Sequence, residues 1–459
     1  MDAGLRGGWT MRYVTAVVVI AAVGALAWLV WVVLGPGPMD FAGGRRIALA
    51  GALGSGSGAA SSTGVPAELV SASLVERGRY LARAADCASC HTKPDGQPFA
   101  GGRAFVLPFG TLYSTNITPE AETGIGAYTD ADFLRAVHQG IARDGTRLYP
   151  AMPFASYTYL TDADALAIKA YLFSLPPVQS ARTTDSLRFP FNQRWLMSIW
   201  SALFNPDRRF QANGSRSAEW NRGAYLAEAL GHCGECHTPR NLFQALDNRR
   251  KFSGARQAGW RSYNLTPDPQ GGVGAWSREE LTRFIARGHA SGHGSAGGPM
   301  GEAVDTSLQH LTPADIQALV TYISSVPAVA TPDLPAPRRT PAPAAHAQGL
   351  SVAVDPRGKE IFEGACVGCH GWTGADPAAG FAALTGSRAV NDPTATNIVQ
   401  MVLDGSSSHG EPNFMPAFGH AYTDLEIAAV ANYVTARFGS QPSRITADRV
   451  AELRGQSAR

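Results

Sequence analysis

The six cysteines carry the clearest chemical pattern in this chain, because all of them fall in C-x-x-C-H units. There are three such units: Cys87-Ala88-Ser89-Cys90-His91, Cys233-Gly234-Glu235-Cys236-His237 and Cys366-Val367-Gly368-Cys369-His370. Two thiols at this spacing form thioether bonds with the vinyl groups of haem, and the histidine that follows binds the iron. The pattern predicts three covalently bound c-type haems, attached through Cys87, Cys90, Cys233, Cys236, Cys366 and Cys369, with His91, His237 and His370 as iron ligands.

Zinc binding and thiol redox chemistry are the two alternatives for a C-x-x-C pair. Zinc requires four ligands, whereas each unit offers three and no second pair lies at a fixed spacing from it. A redox pair has no need of the adjacent histidine. Haem therefore explains the three units better than either alternative.

A sixth iron ligand must come from elsewhere in the chain, and methionine is the usual donor where haem transfers electrons, since a thioether raises the haem potential. The chain has eight methionines, and one follows each haem unit at a matching place in the sequence. These are Met152, Met300 and Met415. We predict that they complete the three iron sites.

Several histidines compete with these methionines as sixth ligands. The competitors are His138 for the first unit, His289, His293 and His310 for the second, and His409 and His420 for the third. Met300 is the weakest candidate, because glycine follows it where proline follows the other two.

Six-coordinate irons leave no open position for a substrate, and metal-centred catalysis needs one. The sequence therefore predicts an electron carrier with no catalytic residues of its own.

An internal repeat predicts how the haem units are folded. Downstream of each haem unit lies a threonine with an acidic residue three positions later, which is typical of a helix N-terminus. A tyrosine follows seven residues after each acidic residue. The threonine-acid pairs are Thr161-Asp164, Thr312-Asp315 and Thr423-Glu426, followed by Tyr171, Tyr322 and Tyr433. Only Glu426 fits the strict capping box. The predicted fold is all-α, with an N-terminal transmembrane helix followed by three class I-like cytochrome c domains.

Domain boundaries follow from the repeat and from composition. The chain has 459 residues, which suffice for about three domains at roughly 150 residues each. We predict a transmembrane anchor (1–40), a flexible tether (41–69), cytochrome c domains at 70–180, 218–330 and 351–440, an interdomain segment (181–217), a Pro-rich linker (331–350) and a C-terminal tail (441–459). The interdomain segment contains an apolar run at 194–204, which either packs against its own chain or contacts a partner or the membrane surface.

Residues 13–35 carry no charge and are long enough to cross a bilayer as a helix. A long signal peptide is the alternative to a retained anchor. Flanking charge does not decide the orientation, because Arg6 and Arg12 on one side are matched by Arg45 and Arg46 on the other. Haem is attached to C-x-x-C-H on the outer face of the bacterial inner membrane, so the haem domains are expected in the periplasm.

A net charge of +2 gives nucleic-acid binding no support.

The chain resembles the triheme cytochrome c subunits of membrane-bound bacterial dehydrogenases over about residues 70 to 455. The resemblance rests on the haem units, the run 114–119 (Ser-Thr-Asn-Ile-Thr-Pro), the Gly124-Ile125-Gly126 turn and the run 148–153 (Leu-Tyr-Pro-Ala-Met-Pro). In that family a catalytic subunit with a quinone, flavin or molybdenum cofactor oxidises a substrate. The resemblance implies that this chain passes the electrons to ubiquinone or to an oxidase.

Two features depart from the alcohol dehydrogenase members of the family. Those members usually have a cleaved signal peptide, whereas this chain is predicted to keep its N-terminal helix. The segments 288–294 and 299–305 are more similar to cytochromes paired with molybdenum hydroxylases, which favours such a partner over a quinoprotein or flavoprotein. Two other functions stay open: a multihaem peroxidase in which one haem lacks its methionine, and a free-standing periplasmic relay.

Overall fold

The computed structural model describes residues 5–34, 66–205, 207–339, 355–375, 382–406 and 415–457. Within these ranges the chain is mainly helical, and its strands form three two-stranded antiparallel hairpins. The first helix, α1 (Leu5–Leu34), contains a stretch of 19 residues, Tyr13–Trp31, with a mean hydropathy of 2.4 and its side chains exposed. By length and composition this helix could cross a membrane, as the sequence predicts.

Unit one, defined here as residues 74–173, contains the first haem motif. A short 3₁₀ turn (Ala67–Leu69) precedes it. Its elements are α2 (Leu74–Ala84), α3 (Cys87–His91), the hairpin β1 (Ala104–Leu107) and β2 (Gly110–Tyr113), α4 (Asp130–Gln139), α5 (Phe154–Tyr157) and α6 (Asp162–Phe173). Helix α7 (Leu196–Phe204) lies between this unit and the next.

Unit two (218–323) repeats this order with small additions. It contains α8 (Ala218–Tyr225), a π-helical turn (Leu226–Leu230), α9 (Cys233–His237), a 3₁₀ turn (Asn248–Arg250), β3 (Ala255–Gln257), β4 (Trp260–Ser262), α10 (Arg278–Arg287), β5 (His289–Ala290), β6 (Gly294–Ser295), α11 (Gly298–Thr306), a 3₁₀ turn (Leu308–His310) and α12 (Pro313–Ile323).

Unit three (356–457) lacks strands among its described residues. Its elements are α13 (Pro356–Ile361), a π-helical turn (Phe362–Cys366), α14 (Val367–His370), α15 (Thr396–Asp404), α16 (Asp424–Phe438) and α17 (Ala447–Ser457). Helix α17 falls in the segment predicted as a tail, and its Val450 and Leu453 are fully buried in the core of this unit.

The predicted helix N-termini at Thr161, Thr312 and Thr423 are confirmed. The hydroxyl of each threonine accepts a hydrogen bond from the backbone N–H three residues later. Glu426 completes a capping box with Thr423, whereas Asp164 and Asp315 do not close one on their own threonines. The carboxylates of these two aspartates accept hydrogen bonds from tyrosine hydroxyls instead, at 2.7 Å from Tyr225 and 2.5 Å from Tyr80.

In each unit, the helix before the haem motif crosses the helix that begins at the capping threonine, and a glycine lies at the crossing. A methyl group on Gly78 of α2 would lie 1.8 Å from the carbonyl oxygen of Ala167, and one on Gly223 of α8 would lie 1.9 Å from that of Ala318. Gly358 occupies the same place in unit three. Since no side chain fits at such distances, glycine is what allows each helix pair to approach closely enough to form the core beside the haem motif.

Units one and two share one hydrophobic cluster, which runs from Leu81 in the first to Val326 after the second, whereas unit three has a separate cluster. Unit three is held to unit two through Arg261, which is buried. Its guanidinium lies 3.3 Å from Asp392 and 2.5 Å from Asp333, and its backbone exchanges two hydrogen bonds with Asn397.

Helix α7 is buried on one face only. Trp200 packs edge-on against Phe154 and donates a 2.9 Å hydrogen bond to the carbonyl oxygen of Phe243. On the opposite face Trp195, Ile199 and Leu203 are 61%, 52% and 46% exposed. The structure therefore supports packing against its own chain for one face and leaves the other open to a contact.

Candidate haem sites

All three motif histidines are oriented in the same way. The Nδ1–H of His91 donates to the carbonyl oxygen of Thr115 at 2.7 Å, that of His237 to Tyr263 at 2.7 Å, and that of His370 to Ala382 at 2.6 Å. A hydrogen bond at Nδ1 fixes the tautomer that leaves Nε2 unprotonated and free to bind a metal. This geometry suits an iron ligand at each of the three positions.

The pattern Asn-x-Thr-Pro occurs at residues 116–119 and 264–267, directly after two of the residues that supply these carbonyl groups. Asn116 directly follows Thr115, and its side chain accepts a 2.9 Å bond from the N–H of Thr118 and donates a 2.7 Å bond to the carbonyl oxygen of Val178. Asn264, which follows Tyr263, makes the same pair of contacts with Thr266 and Val329. The sequence shows that the run recurs, but not that each copy lies beside the carbonyl group that accepts the hydrogen bond of a motif histidine.

A cavity of about 680 Å³ lies in unit one beside the first motif. Its lining includes Cys87, Cys90, His91 and Met152, so the structure brings together the four residues that the sequence assigned to the first haem. The volume falls in the range of about 300 to 1,000 Å³ that is usual for cofactor sites. The donor set of two thiols, one imidazole and one thioether fits a covalently attached haem.

Polar residues on the cavity wall also suit haem, which carries two propionate groups. Arg143, Arg182 and Arg194 line the cavity, and Arg182 and Arg194 both pair with Asp185, which lines it too. Tyr149 lines it too, and its buried hydroxyl has no hydrogen-bond partner among the described residues. Burying a hydroxyl without a partner costs free energy, so this group fits a ligand that accepts a hydrogen bond there.

The motif cysteines are poorly suited to thiolate chemistry. Burial raises the pKa of the Cys87, Cys90 and Cys233 thiols to about 12, with nearby acidic groups adding to the effect. A thiol with such a pKa is neutral at pH 7, whereas a redox-active cysteine needs the thiolate, so the raised pKa disfavours a redox pair. Among the described residues, no group of three or more His, Cys, Asp or Glu side chains could hold a metal ion, so no cluster suited to zinc is found there.

The other two candidate methionines lie in different surroundings. Met300 is half-buried on α11, which packs near β4 of its own unit and α3 of unit one. Met415 is half-buried, and its carbonyl oxygen accepts a 2.9 Å hydrogen bond from the N–H of Ser406. Their assignment as sixth ligands stays a prediction.

Most of the competing histidines have other partners. His138 is buried and its Nδ1–H donates a 2.9 Å bond to the carbonyl oxygen of Tyr157. His293 stacks on Trp276 at 3.6 Å between ring centroids and lies 3.3 Å from Glu280. His289 lies 3.3 Å from the Ser295 hydroxyl, His310 lies 3.1 Å from the carbonyl oxygen of Asp305, and His420 is exposed. His409 lies outside the described residues.

Sequence profiles of two families match the three units. The profile described as Cytochrome c matches residues 75–176 and 221–327, and the one described as Cytochrome C oxidase, cbb3-type, subunit III matches residues 353–434. Together with the histidine geometry and the cavity, these matches define a c-type cytochrome.

Curated relatives identify the family within that class. The chain is 38% identical over 403 residues to the fructose dehydrogenase cytochrome subunit of Gluconobacter japonicus, covering 83% of this chain and 82% of the relative. It is 38% identical over 406 residues to the gluconate 2-dehydrogenase cytochrome c subunit of Pantoea cypripedii, covering 83% and 89%. The chain belongs to the family of cytochrome c subunits of membrane-bound dehydrogenases, and its role is electron transfer and not catalysis.

A third relative is much longer than this chain. The chain is 40% identical over 377 residues to a nicotinate dehydrogenase subunit from Pseudomonas putida, and the match covers 81% of this chain. It spans only 31% of that relative's length. The family resemblance drawn from the haem motifs is therefore confirmed, while the relatives differ in the dehydrogenase for which each is named.

Proposed function

We propose that this chain is a membrane-anchored, periplasmic electron relay with three haems. Units one, two and three each form one cytochrome c domain. The observation that carries the proposal is the shared hydrogen bond from Nδ1 of His91, His237 and His370 to a backbone carbonyl group, because it leaves the same nitrogen of each ring free for iron.

Haem c in each unit would be attached through the two motif cysteines, and the motif histidine would bind its iron. Met152, Met300 and Met415 would complete the three sites. The haem supplies the one-electron chemistry, and the chain's own residues attach it, orient its ligands and shield it from water. If a histidine and a methionine both bound each iron, no position would be left for a substrate, so the units would pass electrons only.

Helix α1 would anchor the chain in the inner membrane and hold the haem units on the periplasmic side. A catalytic dehydrogenase subunit would supply the electrons, and ubiquinone or an oxidase would accept them. The likeness to the nicotinate dehydrogenase relative supports a molybdenum hydroxylase acting on an N-heterocycle or aldehyde. The likeness to the fructose and gluconate dehydrogenase subunits supports a sugar-oxidising partner instead, so the two must be separated by experiment.

The first test is a haem count on the full chain purified from membranes in mild detergent, together with its spin state and the subunits that copurify. The proposal expects three low-spin haems and a large cofactor-bearing subunit, whose cofactor identifies the substrate class. Met152→Ala, Met300→Ala and Met415→Ala should each convert one haem to the high-spin form. A high-spin haem in the unmodified chain would contradict the ligand assignment and favour the peroxidase alternative.

A further inference from the structure

We infer that the haem-attachment helix of each of units one and two holds the methionine-bearing segment of the other unit in place. The residues responsible sit at the same position of their motifs, Ser89 in the first and Glu235 in the second. We call their contacts the cross-unit clamp, which comprises Asp86, Ser89, Arg103, Glu302 and Thr306 on one side and Ser156 and Glu235 on the other. The inference rests on the proposed function, because it takes Met152 and Met300 as sixth iron ligands.

The first side of the clamp ties α3 of unit one to α11 of unit two. The Ser89 hydroxyl oxygen lies 2.7 Å from that of Thr306, and each of these hydroxyl groups lies 2.6 Å from Oδ1 of Asp86. Thr306 is the last residue of α11, the helix that carries Met300. The helix that attaches the first haem therefore holds the end of the helix that carries the candidate ligand of the second.

Arg103 strengthens this side of the clamp. Both of its terminal nitrogens donate to the carboxylate of Glu302, with Nη2 2.8 Å from Oε2, and Nη1 also donates to the carbonyl oxygen of Ser89. Glu302 lies two residues after Met300. A bidentate, charge-assisted pair fixes orientation as well as distance. Arg103 belongs to unit one, so a residue of one unit restrains the ligand segment of another.

The second side of the clamp runs in the opposite direction. Ser156 donates a 2.8 Å hydrogen bond to Oε1 of Glu235, and Arg240 donates a 2.7 Å bond to Oε2 of the same carboxylate. Ser156 and Glu235 are both buried. Ser156 lies on α5, the short helix that directly follows Met152. The attachment helix of the second haem therefore restrains the segment that carries the candidate ligand of the first.

Unit three offers a contrast at the same motif position. Its residue there is Gly368, and a methyl group added to it would meet nothing within 4 Å among the described residues. The clamp is thus a feature of the paired units one and two. It follows that their two haems are coupled through their ligands: a change in unit one alters how firmly Met300 is held, and a change in unit two alters how firmly Met152 is held.

Carbon monoxide binding to the reduced haems tests the inference, because CO enters only when the sixth ligand is off the iron. The haem-loaded full chain is used in detergent. Met152→His and Met300→His first assign the spectra, since each should change the ligand signature of one haem. Arg103→Ala should then raise the rate of CO binding at haem two by about fivefold and leave haem one unchanged. Glu235→Ala should do the reverse.

Two matched variants serve as controls. Arg278→Ala breaks an Arg–Glu pair with Glu219 of comparable exposure in unit two, away from α11, and should leave every CO rate unchanged. Exchanging the partners, Arg103→Glu with Glu302→Arg, should bring the CO rate at haem two most of the way back to that of the unmodified chain, because the ion pair is restored although a carboxylate at position 103 cannot donate to the Ser89 carbonyl oxygen. A merely structural role for Arg103 would not produce an effect confined to the other unit's haem.

The outcomes separate the inference from the proposed function. If Met300→His changes no haem signature, the ligand assignment of the proposed function is wrong. If Met152→His and Met300→His assign haems one and two as expected, but Arg103→Ala and Glu235→Ala change neither CO rate or change only the haem of their own unit, the clamp is overturned while the relay stands.

Discussion

The hydroxyl of Tyr225 donates a 2.7 Å hydrogen bond to the buried carboxylate of Asp164, across the contact between units one and two. Tyr80 makes the equivalent bond to Asp315 in the opposite direction, at 2.5 Å. Each tyrosine also accepts a 3.2 Å bond from the N–H of the threonine that begins the neighbouring helix. The two units therefore exchange equivalent side chains at the N-termini of their last helices.

Replacing one of these tyrosines tests that exchange. Tyr225→Phe leaves Asp164, which is 1% exposed, without its hydroxyl donor, and burial already raises the pKa of that carboxyl group. We expect the free energy of unfolding of the haem-loaded chain to fall by about 1–3 kcal/mol, measured by denaturant titration. Tyr171→Phe is the control, because the Tyr171 ring packs against Phe99 within unit one. Equal losses in both variants would contradict the role given to the exchange.

The helix crossings give a second prediction. Gly223→Ala places a methyl group 1.9 Å from the carbonyl oxygen of Ala318, so the helices must move apart. We expect destabilisation of about 1–3 kcal/mol, with a smaller fraction of chains carrying haem in unit two. Gly455→Ala provides the control, because this helical glycine of α17 has nothing within 4 Å of its added methyl group. That substitution should be neutral or stabilise by about 0.5–1 kcal/mol.

Arg261 gives a third prediction, on the contact with unit three. Arg261→Met leaves the carboxylate of Asp392, which is fully buried, without its cation. Removing one partner of a buried ion pair costs about 3–5 kcal/mol, so unit three should separate from unit two. Hydrogen exchange at the amides of α15 would speed up as a result. Arg256→Met is the matched control, since Arg256 lies opposite Arg261 in the same hairpin and is exposed. Protection of α15 unchanged by Arg261→Met would contradict the role of this residue.

His138 gives a prediction about pH. Burial lowers the pKa of this histidine, and the nearby Arg209 lowers it further, although Asp162 lies 3.3 Å from Nε2. The unfolded chain protonates its histidines near pH 6.5, whereas the folded chain resists protonation at this site. Stability contributed by the neutral ring is therefore lost as the pH falls below about 6.5. His138→Asn should flatten the fall in unfolding free energy between about pH 7 and 5. His420→Asn, at an exposed site, should not.

The parts of the structure that local sequence determines were predictable. The helix starts at Thr161, Thr312 and Thr423 depend on residues three apart, and the structure confirms all three. The strict capping box was expected only at Glu426, and it forms only there among these three helices. Cys87, Cys90, His91 and Met152 were grouped from the motif and the repeat, and the structure places all four on one cavity, while their roles in binding haem stay a prediction.

What the sequence could not show depends on contacts between distant residues. Nothing in the sequence around Asp164 indicates that its carboxylate accepts a hydrogen bond from Tyr225, because the two residues are 61 positions apart. The carbonyl partner of His91 is a backbone atom of Thr115, and any residue type could supply it. Residues 441–459 were predicted as a C-terminal tail, whereas Ile445, Val450 and Leu453 of this segment are buried in the core of unit three.

The division of the hydrophobic cores has a consequence for how the chain unfolds. Units one and two bury their apolar side chains in one common cluster, and each supplies the tyrosine that caps the other's last helix. Loss of either unit would expose the core of its neighbour, so units one and two are expected to fold and unfold as one cooperative body. Unit three has its own core and contacts unit two through polar groups, among them Arg261, Arg388 and Gln400. We therefore expect unit three to unfold independently of the paired units.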